Sequence, residues 1–192
     1  MKVTLGISNR HVHLTEENYK KLFGDEPFNV VKYLVQPGQF ASDKFVTLKN
    51  GEREIKHVRV LGPIRDYTQV EISRTDSYAL KLNPPIRNSA DLKDSSPITI
   101  VNEENGREIN LNEGCIIANR HLHIHPDEAK ELNLEDAKKV KIKIGGEKGG
   151  ILENVHVRIS TRAKYELHLD TDDGNAFNVK TGDEVEIIEV ER

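Results

Sequence analysis

Apolar and polar residues alternate with a period of two along much of the chain, which is the pattern of half-buried β-strands. Two of these runs, 44–49 and 54–61, flank Asn50 and Gly51, a dipeptide typical of a two-residue hairpin. Further strands are predicted at 3–7, 68–73, 98–101, 108–111, 115–117, 140–144, 151–159 and 184–190.

Few helices are predicted, and all of them are short. Thr15 followed by Glu16 is typical of a capped helix N-terminus, and this helix is expected to run through Phe23. Pro126 suits the first position of a second helix, which is expected to end near Leu132. Because strands dominate and do not alternate regularly with helices, the pattern argues against a doubly wound parallel sheet.

The chain contains an internal repeat. Residues 9–14 (NRHVHL) recur as residues 119–124 (NRHLHI), and each copy follows a predicted strand and precedes a predicted helix. A weaker correspondence, at a shift of 97 residues, relates 65–76 to 162–173. The repeat therefore predicts a mainly β (α+β) fold with two small β-barrel domains and short capping helices.

The stretch 88–97, which follows two prolines and contains serine and asparagine, is the predicted linker. The predicted domains are then 1–87, with a His-x-His and a glutamate, and 98–192, with a His-x-His and a further histidine. Exchange of strands between these halves stays open, because a repeat does not determine which strands pair.

The chain has 192 residues, of which 36% are hydrophobic and 31% charged, as in ordinary soluble globular proteins. A net charge of −4, with acids and bases interspersed, and the lack of tryptophan argue against a nucleic-acid partner. A single cysteine excludes an internal disulfide framework. With no run of about 18 apolar residues and no secretory signal, a cytoplasmic protein without a membrane partner is expected.

Four of the eight histidines form two His-x-His pairs. Residues two apart in a strand share a face, so His11 and His13 are expected to point together while Val12 and Leu14 pack behind them. The candidate metal ligands are His11, His13 and Glu71 in the first half and His121, His123 and His168 in the second. The carboxylates expected to orient the last of these are Asp170, Asp172 and Asp173. Three protein ligands with an open position are typical of catalytic zinc, whereas four are typical of structural zinc.

Four other residues with reactive or metal-binding side chains are interpreted as having neither a catalytic nor a metal-binding role. Cys115 lies on an apolar strand and is expected to be a buried apolar residue rather than a thiolate. His125 occupies the position of Thr15 in the first copy, where a helix cap is expected. His57 and His156 lie among charged neighbours and are expected to be solvated.

Three motifs carry a resemblance to a known family: 8–14 (SNRHVHL), 61–73 (LGPIRDYTQVEIS) and 119–123 (NRHLH). Their residues and order resemble the PduL-type phosphotransacylases, the phosphate propanoyltransferases of propanediol degradation in bacterial microcompartments. The resemblance extends over essentially the whole chain. It implies a two-barrel fold, two metal ions that are usually zinc, and acyl transfer between coenzyme A and inorganic phosphate.

The resemblance also implies roles for individual residues. All six candidate ligands match metal positions of the family, and Arg65 matches its phosphate-binding, catalytic arginine. The positions matching coenzyme A contacts are Ser8, Asn9, Lys32, Arg59 and Asn175. Ala90 and Asp94 stand where the family usually has glycines, which leaves the role of Ser89 open. The chain starts directly at its first predicted strand, so the N-terminal encapsulation extension of many microcompartment members is not expected.

The implied reaction is direct attack of phosphate on the thioester, with acyl-CoA (propanoyl or acetyl) and phosphate giving acyl phosphate and coenzyme A. Two alternatives remain: a zinc-dependent thioester or ester hydrolase, and a non-catalytic zinc-binding module. Cobalt, nickel or iron would also suit the histidine and carboxylate ligands. Acyl chain length, homo-oligomer formation and association with a microcompartment stay open.

Overall fold

The structure is a computed structural model that describes residues 1–192. Its strands are β1 (Lys2–Ser8), β2 (His11–His13), β3 (Val30–Tyr33), β4 (Phe40–Asn50), β5 (Arg53–Gly62), β6 (Gln69–Glu71), β7 (Ile86–Arg87), β8 (Ser96–Asn102), β9 (Glu108–Ala118), β10 (His121–Ile124), β11 (Lys139–Ile144), β12 (Gly150–Ile159), β13 (Glu166–Asp170) and β14 (Glu184–Glu191). Its helices are α1 (Glu16–Phe23), α2 (Arg74–Leu80), α3 (Pro126–Glu131) and α4 (Thr171–Phe177). The predicted mainly β class with short helices is confirmed.

The chain divides into two compact units. The central unit is continuous and spans Arg10–Ala118. The terminal unit combines Met1–Asn9 with Asn119–Arg192. Each unit contains one closed barrel of six strands.

This division differs from the predicted one, which placed a linker at 88–97. Strand β1 pairs with β13 and β14, so the first strand of the chain belongs to the terminal unit. Strands β8 and β9, expected in the second half, pair instead with β4 and β6. The 88–97 stretch therefore lies within the central unit, where it follows β7 and runs into β8. Relative to the predicted halves, β1 belongs with the second half, in the terminal unit, and β8 and β9 belong with the first, in the central unit.

The barrel of the terminal unit closes in the order β1, β13, β10, β12, β11, β14 and back to β1. Its interior is filled by the apolar residues of the alternating strands. Leu122 and Ile124 of β10 and Leu167 of β13 have no exposed surface. Since each fully buried leucine or isoleucine contributes roughly 1.5–3 kcal/mol, this core holds together strands that are distant in sequence.

The barrel of the central unit runs β4, β5, β2, β6, β9 and closes through β8, which pairs with both β9 and β4. Strands β3 and β7 add to this sheet at its two ends. The predicted hairpin between β4 and β5 is present, but its turn is shifted by one residue: Asn50 pairs with Arg53, and residues 51 and 52 form the turn. Gly51 has a positive φ of 57°, which favours glycine in this turn.

The capping residues explain where the helices begin. The Thr15 side chain accepts a hydrogen bond from the Asn18 backbone and starts α1, as predicted. Helix α3 begins at Pro126, also as predicted, and His125 caps it. Helices α2 and α4 were not predicted, because seven residues are too few for a clear helical period. None of the four helices is long and apolar enough to cross a membrane.

Candidate functional site

The central unit brings His11, His13 and Glu71 together. The two histidines lie on β2, and the antiparallel register places Glu71 of β6 directly opposite His11. Nε2 of His11 lies 3.5 Å from Oε2 of Glu71, and the ligand atoms of all three residues lie within 4.8 Å of one another. Val12 and Leu14 are at most 1% exposed, so the predicted packing of these two residues behind the histidines is confirmed, and the histidines themselves are also buried.

The terminal unit brings His121, His123 and His168 together in the same way. The first two lie on β10, and His168 of β13 is paired with His121 in the antiparallel register. Nε2 of His121 lies 3.1 Å from Nε2 of His123, and the ligand atoms of the three residues again lie within 4.8 Å of one another. The two repeats thus build two similar clusters, one in each unit.

Hydrogen-bond partners determine which ring nitrogens carry protons. The carbonyl oxygen of Asn119 lies 2.7 Å from Nδ1 of His121 and can only accept, so Nδ1 carries the proton and Nε2 keeps a lone pair, which faces Nε2 of His123. Oε2 of Glu166 lies 2.6 Å from Nε2 of His168, which leaves Nδ1 as the free nitrogen of that ring.

Burial favours the neutral form of three imidazoles in these clusters, those of His13, His121 and His123. Burial lowers the pKa of His13 well below its ordinary value of 6.5, and the charges of His11 and Arg65 lower it further. Burial also lowers the pKa of His121, followed by the effect of neighbouring histidines, and it lowers the pKa of His123 to about 3. Neutral imidazoles are the form that binds a metal ion.

The donors in both clusters fit a divalent metal ion. Nδ1 of His13 is buried without a hydrogen-bond partner, as expected for an atom that is completed by a ligand. Two histidines with a carboxylate, and three histidines, are both ligand sets that zinc accepts with an open fourth position.

The carboxylate that contacts His168 is Glu166, which is 3% exposed. The prediction that the following aspartates orient this ring was wrong for Asp170 and Asp173. Asp170 caps α4 by accepting from the backbone of Asp173, which itself binds the Arg120 guanidinium through both carboxylate oxygens. Alternation could have identified Glu166, since it lies two residues before His168 on the same face of β13.

Gly6 of β1 makes room for this carboxylate and imidazole. A Cβ atom at this position would lie 3.1 Å from Oε1 of Glu166 and 3.3 Å from Cδ2 of His168. A larger residue at this position would crowd both groups. The close approach of Glu166 and His168, rather than backbone conformation, therefore explains the glycine.

Gln69 is a second functional neighbour that the sequence analysis did not select. It has no exposed surface, and its Nε2 donates to Oε1 of Glu71 at 2.6 Å and to Oγ of Ser89 at 2.9 Å. Its Oε1 accepts from the backbone of Ala90 at 2.7 Å. Gln69 precedes Glu71 by two residues, as Glu166 precedes His168, so the repeat places both partners at equivalent positions.

Arg65 follows β5 and is anchored from several sides. Its Nη2 donates to Oε1 of Gln39 at 2.7 Å, its Nη1 donates to the Tyr67 hydroxyl at 3.3 Å, and its backbone donates to the carbonyl of Leu14. Its Nε is buried without a partner. A planar cation held in this way can receive an anion such as phosphate.

The residues predicted to contact coenzyme A are divided between the units. The terminal unit holds Ser8 at the end of β1, Asn9, and Asn175 on α4. In the central unit, Lys32 is exposed on β3, and the Arg59 guanidinium lies 4.3 Å from the centre of the Phe45 ring. Their roles stay predictions.

Two of the residues interpreted as structural, Cys115 and His125, have such roles. Cys115 is fully buried, and burial raises the pKa of its thiol to about 12, which removes it as a nucleophile at neutral pH. His125 caps α3. Ala90 and Asp94 have φ values of 77° and 57°, so the glycine-like backbone conformation is present despite their side chains.

Comparison with known proteins identifies the family. Residues 4–180 match the family model for phosphate propanoyltransferase. A phosphate propanoyltransferase of Thermotoga maritima is 42% identical over 189 residues, which covers 97% of this chain and 89% of the relative. Those of Rhodopseudomonas palustris and Salmonella typhimurium are 39% and 41% identical, covering 97% and 91% of this chain and 82% of each relative. The chain therefore belongs to the phosphate propanoyltransferase family, as its motifs indicated.

Proposed function

We propose that this chain is a metal-dependent phosphate acyltransferase, which converts acyl-CoA and inorganic phosphate into acyl phosphate and coenzyme A. The supporting observation is the arginine fork of Arg65 in the same unit as His11, His13 and Glu71. The Arg65 backbone donates to the carbonyl of Leu14, the residue after His13, at 2.9 Å, so the proposed anion-binding arginine lies next to the strand that carries the candidate metal ligands. Propanoyl-CoA is the first substrate to test, because the relatives are named phosphate propanoyltransferases.

Each unit is proposed to hold one divalent ion, with zinc as the first choice. The ligands would be His11, His13 and Glu71 in the central unit and His121, His123 and His168 in the terminal unit. A bound ion would supply positive charge that polarises the thioester carbonyl and orients phosphate.

The protein residues position the reactants. Arg65 holds phosphate through its guanidinium so that one phosphate oxygen faces the thioester carbonyl carbon. The new C–O bond forms, the C–S bond breaks, and the sulfur leaves as the coenzyme A thiolate, which then takes up a proton. Holding both reactants in this geometry can contribute roughly 7–11 kcal/mol to lowering the barrier. No acyl-enzyme is needed, and Cys115 is too deeply buried to form one.

Coenzyme A is proposed to contact five residues, at the positions that the family resemblance assigns to this substrate. These residues are Ser8, Asn9, Lys32, Arg59 and Asn175.

The reaction is tested by measuring free coenzyme A thiol released from propanoyl-CoA and acetyl-CoA, with and without phosphate. The protein is assayed as zinc-loaded and as chelator-treated samples. Release that depends on both phosphate and metal is expected. Release without phosphate would indicate a hydrolase, and no release by folded, zinc-loaded protein would indicate a binding module.

Single variants test the assigned residues. Arg65→Ala should abolish turnover at ordinary phosphate concentrations and leave folding intact, whereas Arg53→Ala, at an exposed position of β5, should keep wild-type kinetics. His11→Ala and His121→Ala should each lower the bound zinc by one ion. Wild-type phosphate kinetics in Arg65→Ala would remove that residue from the mechanism.

A further inference from the structure

The Gln69 amide occupies a fully buried position beside Glu71, on the same face of β6. Every polar atom of this amide has a partner, because the side chain makes hydrogen bonds to Glu71, Ser89 and Ala90. A buried amide with all its partners is held in one orientation, since any rotation would leave a buried polar atom unpaired.

The backbone of Ala90 determines which way the amide faces. A backbone N–H can only donate, so the atom of Gln69 that faces it must be the carbonyl oxygen Oε1. The NH₂ group then faces Glu71 and Ser89 and uses one N–H for each. The orientation follows from the chemistry of the partners alone.

This orientation has a direct effect on Glu71. Its Oε1 is engaged by Gln69 at 2.6 Å, whereas its Oε2 faces Nε2 of His11 at 3.5 Å. The carboxylate therefore offers one oxygen to the cluster and keeps the other away from it. The position of the third candidate ligand is set by Gln69 rather than by Glu71 alone.

The same amide also orders the loop that follows β7. Oγ of Ser89 accepts from Gln69, so its own O–H is available to donate to another group. The next residue, Ala90, is anchored through its backbone in a positive-φ conformation that alanine rarely adopts. One side chain thus links the candidate metal ligand to the adjacent loop.

The terminal unit supports this interpretation independently. The position equivalent to Gln69 is Glu166, which hydrogen-bonds to His168, the third ligand candidate of that unit. In both units the residue two positions before the third ligand holds that ligand in place. The two partners differ because a carboxylate requires a donor and an imidazole N–H requires an acceptor.

We propose that Gln69 is a positioning residue that holds the Glu71 carboxylate and the Ser89–Ala90 backbone in the arrangement required for metal binding and turnover. The inference rests on the proposed function, in which Glu71 is a metal ligand. Gln69 has no exposed surface and protein groups engage both polar atoms of its amide, so it acts through its hydrogen-bond partners.

The test compares Gln69→Leu and Gln69→Glu with wild-type protein. Leucine removes all hydrogen bonds, whereas glutamate keeps the shape and the acceptor for Ala90 but cannot donate to Glu71. Both variants should bind zinc about 10- to 100-fold more weakly in the central unit, and kcat should fall by a similar factor. KM for phosphate and for acyl-CoA should change by less than about twofold, because Gln69 has no exposed surface that a substrate could contact.

Asn102→Leu is the matched control. Asn102 is also a buried amide of the central unit, but it donates to the carbonyl of Leu22 and accepts from the backbone of Glu104, away from the cluster. It should lose stability as Gln69→Leu does, yet keep the wild-type zinc affinity and kcat. Zinc affinity is measured by competition with a chelating dye, and stability by urea unfolding.

The outcomes separate this inference from the proposed function. Wild-type zinc affinity and kcat in both Gln69 variants would overturn the positioning role. If wild-type protein released coenzyme A without phosphate, the proposed reaction would be wrong. The zinc affinities of the Gln69 variants would then still test the positioning role of Gln69, without any activity measurement.

Discussion

At the scale of single residues, the two clusters share one design with different chemistry. Each has a His-x-His pair, a third ligand candidate on a neighbouring strand, and a buried partner two residues before it. In the terminal unit this partner is the Glu166 carboxylate, which is nearly inaccessible to solvent. Gln69 and Glu166 are not ligand candidates themselves, but each one holds the side chain of the third ligand candidate in its cluster through a hydrogen bond.

Glu166→Gln keeps the size of the side chain but removes its charge. The expected result is zinc binding about 10-fold weaker in the terminal unit, because the amide accepts the His168 N–H less strongly. Competition with a chelating dye measures this affinity, and Glu147→Gln, at an exposed position, is the control. An unchanged affinity would show that the carboxylate does not support the histidine.

The stability of the metal-free protein should depend on pH. The pKa values of His13, His121 and His123 are lowered by burial, so the unfolded chain binds more protons than the folded protein below pH 6.5. The free energy of unfolding should therefore fall as the pH falls from 6.5 towards 4. Each such histidine contributes up to about 1.4 kcal/mol per pH unit.

Urea unfolding of chelator-treated protein between pH 4 and 7.5 measures this slope. His121→Gln should reduce the slope by the contribution of one histidine. Equal slopes in wild type and His121→Gln would contradict the prediction.

At the scale of elements, an arginine in each repeat ties the start of a His-x-His strand to a helix. Arg10 binds Asp76 of α2 through Nε and Nη2, and Arg120 binds Asp173 of α4 in the same two-point geometry. Each helix directly follows the strand that carries the third ligand candidate. The arginine directly before each His-x-His pair and the aspartate five residues after each third ligand candidate thus form a second contact, besides the ligands, that builds each cluster.

Asp76→Asn should destabilise the central unit by about 1 kcal/mol. The amide oxygen can still take part in the N-terminal cap of α2 as the Asp76 carboxylate does, but the charge that faces Arg10 is lost. Because Arg10 is partly exposed, this ion pair contributes less than a fully buried one. Asp91→Asn tests the exposed pair with Arg87 and should cost less than about 0.5 kcal/mol. Urea unfolding compares the two, and equal costs would show that burial of Asp76 is irrelevant.

At the scale of the molecule, one barrel is built from a continuous segment and the other from both ends of the chain. The central unit, Arg10–Ala118, contains all six strands of its own ring. The terminal unit needs β1, which pairs with β13 on one side and β14 on the other. In the sequence, however, the whole central unit separates β1 from these two strands. The two units should therefore differ in their ability to fold alone.

A fragment spanning Arg10–Ala118 should fold cooperatively, whereas Asn119–Arg192 should not, because it lacks β1 and leaves two strand edges unpaired. Appending Met1–Asn9 to the C-terminus of Asn119–Arg192 through a Gly/Ser linker should restore folding, since β1 pairs antiparallel with β14. Circular dichroism and amide exchange report the result. Cooperative folding of Asn119–Arg192 alone would contradict the role assigned to β1.

The sequence by itself determined the features that depend on a few neighbouring residues. Alternation along β2 and β10 predicted the paired histidine faces, capping residues predicted α1 and α3, and the internal repeat indicated both sets of ligand candidates. These features follow from local backbone geometry, which repeats every two residues in a strand. The family resemblance arose from the same local motifs, and comparison with relatives confirmed it.

Only the tertiary structure decided the features that depend on distant contacts. Strand β1 joins the C-terminal strands because it completes their barrel and buries Val3 and Leu5 there, which no local pattern reveals. The hydrogen bonds from Gln69 to Ser89 and from Ala90 to Gln69 were likewise visible only once β6 and the loop after β7 were placed. Strand pairing is determined by which closed arrangement buries the most apolar surface and satisfies the backbone, and that is a property of the whole chain.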